Sequence, residues 1–196
     1  MKSVPVLLIT HDDLLWQHWR ALDPTRWLAA RGRGLADLQR WRETFAEKLR
    51  GWGIETHTGI AKTGVVGVIK RGTSDRAIML RADMDALPMQ EENQFEHRSR
   101  HDGKMHGCGH DGHTAMLLAA ARHLQQEGGF DGTVYFCFQP AEEGGAGGRA
   151  MIQDGLFERF PCEAVFGMHN WPGLEAGSFG VCAGPMMASA NGFKIT

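Results

Sequence analysis

An α/β fold is what this chain predicts. Strand-like and helix-like stretches alternate along it, and one strand, "TVYFCF" from Thr133, is apolar on both faces, as in a sheet covered on both sides. Polar, reactive side chains also follow several of the predicted strands, as they do in open α/β sheets that bind ligands beyond the carboxyl ends of their strands.

The elements can be justified in order. From Leu35 to Trp52 the apolar residues Leu35, Leu38, Trp41, Phe45, Leu49 and Trp52 recur at steps of three or four, and Gly51 and Gly53 end the pattern, which predicts an amphipathic helix. "GVVGVIK" around Val66 and "AIML" from Ala77 read as two strands of a hairpin joined by "RGTSD". The Ala/Leu-rich run from Thr114 to Gln126 stops at Gly128 and Gly129 and reads as a buried helix. After the Thr133 strand, "GGRAMIQDGLF" predicts a short helix from about Gly147, and "AVFGM" from Ala164 another buried strand. No internal repeat is present.

Length and charge exclude some function classes. At 196 residues one sizeable core suffices, and a net charge of −2 with both signs scattered supplies no basic field for a phosphate backbone, so nucleic acid is not the expected partner. Cys108, Cys137, Cys162 and Cys182 form no C-x-x-C pair, which fits a reducing, cytoplasmic setting. The N-terminal "VPVLLIT" is short and followed by "HDD", so neither a signal peptide nor a membrane span is expected. Between Trp16 and Arg42 lie four of the six tryptophans, and the Lys/Arg residues there are all Arg. That composition suits an irregular surface segment, with a nucleic-acid-binding arm as the alternative.

Chemistry gathers at the strand ends. Asp83 and Asp85 follow "AIML", Glu142 and Glu143 follow "TVYFCFQP", and His169 follows "AVFGM", while "KMHGCGHDGHTAMLLAAARHL" places Cys108 and His110 in the loop feeding a helix. Gly107 and Gly109 let that loop extend so that Cys108 and His110 face one side, leaving His106 and His113 to support or cap. The positive helix end is expected to favour a Cys108 thiolate. Thiolate, imidazole and carboxylate together suit a borderline divalent ion such as Zn2+ or Mn2+, and a cysteine nucleophile is the other reading.

Four motifs in order, "RADMDALPMQE", "MHGCGHDGHTAMLLAAARHL", "FQPAEEGGAGGRAMI" and "GMHNWPG", resemble the metal-dependent aminoacylase-like amidohydrolases, the group of hippurate hydrolase, N-acyl-amino-acid amidohydrolases and auxin-conjugate hydrolases. The resemblance runs from about Phe45 to the last residue. It implies a zinc-peptidase-like catalytic domain, a mixed sheet between helices, that cleaves N-acyl amino acids. In the implied two-metal site Cys108, His110, Glu143 and His169 are ligands, Glu142 is the general base and Asp85 orients the site. Mn2+ or Zn2+ is the implied metal, with Co2+ or Ni2+ as further options.

The chain also departs from that family. No "H-x-H-P-E" stretch precedes the first helix, and family members are considerably longer, adding a lid and dimerisation domain and a last histidine ligand. The expected organisation is therefore a divergent segment over 1–34, the N-terminal part of the catalytic domain over 35–186, and the start of the lid over 187–196. The dimerisation domain that makes relatives oligomeric would be missing, and an apolar sheet edge would be left exposed. The alternative to an active hydrolase is a fragment that binds metal without turnover.

Overall fold

The computed structural model describes residues 6–9, 35–175 and 177–187. A seven-stranded sheet carries the molecule, built from β1 (Val6–Ile9), β2 (Glu55–Ile60), β3 (Gly64–Arg71), β4 (Ala77–Asp83), β5 (Gly132–Gln139), β6 (Ala164–Asn170) and β7 (Phe179–Gly180), in the spatial order β2-β3-β5-β4-β6-β1-β7. Strands β5, β4, β6 and β1 run parallel, while β2, β3 and β7 pair antiparallel with their neighbours. Among the described residues the helices are α1 (Leu35–Gly51), α2 (His110–Glu127), α3 (Gly147–Gln153) and α4 (Leu156–Arg159).

The sheet is covered on both faces because its central strands alternate two apolar sets. Phe136 and Phe138 of β5 point to one side, where they meet Phe45 and Leu49 of α1 and Leu117, Leu118 and Ala121 of α2. Phe45 stacks on Phe138 with ring centroids 5.7 Å apart. Cys137 points to the other side, into a cluster with Ile60, Val66, Met79, Met151, Leu156 and Phe160. The i, i+4 pair Phe45 and Leu49 turns one face of α1 onto the sheet, and Gly128, with a φ of 67°, closes α2 through its amide to the Leu124 carbonyl.

The predicted hairpin of β3 with β4 does not form. β5 lies between them, antiparallel to β3 and parallel to β4, because its two apolar faces require the most covered position in the sheet. The "RGTSD" connection is instead tied down by Asp131, whose Oδ1 accepts the amides of Thr73 and Ser74 at 2.8 and 2.9 Å. The true hairpin partner of β3 is β2, whose "ETHTGI" reads polar because it is an edge strand. Their turn holds Ala61 and Lys62 at φ 48° and 73°, and Asp154 Oδ2 accepts the Ala61 amide at 2.8 Å.

Strand β6 is half-buried rather than buried, since α2 packs principally on β4 and reaches β6 at its margin. Beyond β6 the sheet continues: β1 pairs with it from Val6↔Gly167 to Ile9↔Asn170, and the two-residue β7, whose Phe179 is exposed, pairs with β1 and forms the edge. Residues 10–34, which hold most of the Arg/Trp-rich stretch, and "ANGFKIT" lie outside the described residues. Among the described residues no helix is long and apolar enough to cross a membrane.

Candidate metal centre

The candidate residues converge at the carboxyl ends of β4, β5 and β6, against the start of α2. His169 lies within β6, Asp85 follows β4, Glu142 and Glu143 follow β5, and His110 opens α2 with Cys108 just before it. Cys108, His110 and His169 each offer a donor atom within 4.8 Å of the others, and so do His110, Glu142 and Glu143. Cys108 Sγ lies 3.4 Å from His169 Nε2. His169 Nδ1 donates to the Asn170 carbonyl at 2.6 Å, which leaves Nε2 as the lone pair facing the sulfur.

His110 is the centre of both groups. It is 1% exposed, and neither ring nitrogen has a hydrogen-bond partner. Around it stand only oxygens at ion-pair distance: Asp85 Oδ1 lies 3.5 Å from Nδ1, and Asp83 Oδ2 and Glu143 Oε1 each lie 3.7 Å from Nε2. A buried imidazole that makes no hydrogen bond at either nitrogen is costly, and a coordinated cation relieves that cost. The soft and borderline donors beside it, a thiol and a second imidazole, fit Zn2+-like ions.

Two backbone devices fix the donors. Asp85 accepts the amides of Glu142 and Glu143 at 2.9 Å each, so the carboxylate after β4 holds the turn after β5. That turn is tight: Ala141 and Ala146 have φ of 52° and 49°, and a Cβ on Gly147 would collide with the Pro140 carbonyl oxygen. Gly109, at φ 80°, starts α2 where a Cβ would overlap the side-chain amide of Asn170.

The electrostatics are dominated by carboxylates. Burial pushes the Cys108 thiol up, and contact with Glu143 and the charges of Asp83 and Glu142 push it further, to about 12. The expected thiolate is thus not favoured without a cation, because burial and acidic neighbours outweigh the helix end. The same shift argues against an activated cysteine nucleophile. Burial would raise Asp85, but its contact with His110 and the two amides outweigh burial and hold it well below the usual carboxylate range. Burial would lower His110, and the neighbouring Asp85, Asp83 and Glu143 outweigh that and raise it.

Sequence reasoning placed all six candidates, Asp85, Cys108, His110, Glu142, Glu143 and His169, at this rim, and the structure brings all six together. It missed the parts played by Arg81, Asp83 and Asn170. Asp83 is 2% exposed and pairs with Arg81 Nη1 at 2.8 Å and with His113 Nδ1 at 2.6 Å. Only its place after a strand hinted at this. A cavity of about 520 Å3, floored by Val68, Tyr135 and Phe160, is lined by none of the donor residues.

Comparison with known proteins gives the geometry a family context. Residues 79–194 match the profile of peptidase family M20/M25/M40. The chain is 51% identical over 150 residues to the hippurate hydrolase of Campylobacter jejuni, 44% identical over 155 residues to an N-acetylcysteine deacetylase of Bacillus subtilis, and 45% identical over 148 residues to an IAA-amino acid hydrolase of Arabidopsis thaliana. These matches cover 76%, 76% and 75% of the chain but 39%, 40% and 33% of the relatives, so the chain spans well under half of their length. Among solved structures it resembles a dinuclear metal-binding peptidase of the M20 family from Bacillus subtilis, at TM-score 0.76 and 38% identity, over 89% of this chain and 49% of that one.

Proposed function

The chain belongs to peptidase family M20/M25/M40, and from that membership we propose that it carries the metal-binding half of a hydrolase cleaving the amide bond of N-acyl amino acids. The observation that carries the reading is His110, buried with no hydrogen bond at either nitrogen, beside Cys108, Glu143 and His169. In this reading those four residues hold the metal, two ions per complete site. Bound there, divalent ions would supply Lewis acidity, lowering the pKa of a water from about 16 toward 7 and polarising the amide carbonyl.

The chain's own residues have distinct tasks. Glu142, exposed beside Glu143, accepts the proton of the attacking water on its carboxylate and returns it to the leaving amine nitrogen. Asp85 keeps that carboxylate in place by gripping the Glu142 and Glu143 amides. The relatives' names share an acyl group joined to an amino acid, which supports N-acyl amino acids as the substrate class. All four cysteines are free, in keeping with a reducing, cytoplasmic setting in which Cys108 stays available to metal.

The test combines elemental analysis with hydrolysis of N-benzoylglycine and a panel of N-acetyl amino acids after loading with Mn2+, Zn2+ or Co2+. Equal metal in wild type and in the Cys108→Ala, His110→Ala double variant sinks the site. Metal uptake with no hydrolysis of any amide limits the function to metal binding.

A further inference from the structure

Behind the donors runs a line of buried polar groups. Arg81 Nε donates to Gln139 Oε1 at 2.9 Å, and Arg81 Nη1 pairs with Asp83 Oδ2 at 2.8 Å. Asp83 Oδ1 accepts His113 Nδ1–H at 2.6 Å, and the Asp83 carbonyl accepts the Thr114 hydroxyl at 2.9 Å. His113, 2% exposed, accepts the Asn170 backbone amide on Nε2 at 3.0 Å. Asn170 Oδ1 lies 2.6 Å from the same nitrogen and accepts from it in the tautomer that carries the proton on Nε2.

The far end of this line touches both donor segments. The Asn170 side chain packs against Gly109, between Cys108 and His110, and the Asn170 carbonyl accepts from His169 Nδ1. The His113 ring lies 4.4 Å from that of His169 and 5.3 Å from that of His110, centroid to centroid. Asp83, His110 and His113 also cluster within 4.8 Å and could be taken for a second set of ligands. However, the Asp83 oxygens are engaged by Arg81 and His113, and the His113 nitrogens by Asp83 and Asn170, so His110 is the member that makes no hydrogen bond.

We propose that His113 and Asn170 are positioning residues, a latch that holds the Cys108–His110 loop against His169 and so sets the spacing of the metal donors. The inference rests on the metal-binding reading of the site. Its physical basis is that the loop and β6 meet through Asn170, while Asn170, at the end of β6, is tied to α2 through His113 and, through Asp83 and Arg81, to β4. Without the latch the donors remain present but lose their fixed separation, and groups that orient metal ligands typically cost about 10- to 100-fold in affinity when removed.

The experiment is a Co2+ titration of the 196-residue chain followed by visible and near-ultraviolet absorption, with far-ultraviolet circular dichroism as the folding control. Wild type, His113→Ala, Asn170→Ala and Cys108→Ser are compared. The expected result is that folded Asn170→Ala and His113→Ala bind Co2+ about 10- to 100-fold more weakly, with a shifted ligand-field band but a retained sulfur-to-cobalt charge-transfer band. Cys108→Ser should lose the charge-transfer band. Asn170 sits at the rim, so its variant decides the matter if His113→Ala does not fold. Wild-type affinity and an unshifted band in Asn170→Ala overturn the latch alone, whereas a wild-type chain that takes up no Co2+ overturns the metal site and the latch with it.

Discussion

Glu142 and Glu143 are adjacent in the chain and both are exposed beside His110. It is Glu143 whose Oε1 stands at ion-pair distance, 3.7 Å from His110 Nε2. In an otherwise complete enzyme, Glu142→Gln should keep metal and lower turnover by about 10²- to 10⁴-fold, whereas Glu143→Gln should lose metal. Elemental analysis beside initial rates separates the two, and the opposite pattern exchanges their roles. Cys108 makes a second prediction. Its thiol is held up to about 12 without metal, so a cation must displace the proton, and metal affinity should rise with pH. Calorimetry in buffers of different ionisation enthalpy should register the released proton, and Cys108→Ser should reduce the number released. Asp83 and Asp85 act in the acid range. Burial raises both, but His113 and Arg81 for Asp83, and His110 and the two amides for Asp85, outweigh it and lower them. Each folded value lies below the unfolded one of about 3.9, so their stabilisation is present above that pH and is lost as pH falls through the folded values. The metal-free chain should thus show a falling urea midpoint below about pH 4, with a shallower fall in Asp83→Asn.

Among the elements, those with strong local patterns were legible. The three-and-four spacing of Phe45, Leu49 and Trp52 marked α1, the Ala/Leu run before Gly128 marked α2, and the doubly apolar "TVYFCF" marked the central β5. β2 was not legible because an edge strand with one open face keeps Glu55, Thr56, His57 and Thr58, and no apolar alternation survives. The wrong hairpin has a related cause: β3 and β4 are close in sequence, but the strand that separates them arrives more than forty residues after β4, and local turn chemistry carries no record of that. The loops carrying the donors make a paired prediction. A Cβ at Gly147 would meet the Pro140 carbonyl, so Gly147→Ala should destabilise by about 1–3 kcal/mol and weaken metal binding through Glu143. Gly112 lies inside α2 with nothing within 4 Å of its Cβ position, so Gly112→Ala should instead stabilise by about 0.4–1 kcal/mol. Urea unfolding of both variants checks the opposite signs.

For the whole molecule, the rim of the sheet was legible because in α/β sheets the strand ends share one side, so reactive residues after separate strands must meet. The support behind them was not, since Asp83, His113 and Asn170 pair over 30 and 57 positions and leave no spacing pattern. In the proposed site that same convergence would make metal a tie across the fold. Cys108 and His110 precede or open α2, Glu143 follows β5 and His169 belongs to β6, so metal held by Cys108 and His169 would join segments 61 residues apart, which the unfolded chain cannot do at comparable cost. Binding to the folded state alone stabilises by about 2.7 kcal/mol when free ion is 100 times the dissociation constant. For a chain of this size each kcal/mol raises the melting temperature by about 2–4 °C, so saturating Zn2+ or Co2+ should raise it by roughly 5–11 °C. A chelator should reverse the rise, and Cys108→Ser combined with His169→Ala should remove it. A double variant that keeps the full shift would place the stabilising ion elsewhere on the molecule, because a cation that ties β6 to α2 must lose its hold when a donor is taken from each side.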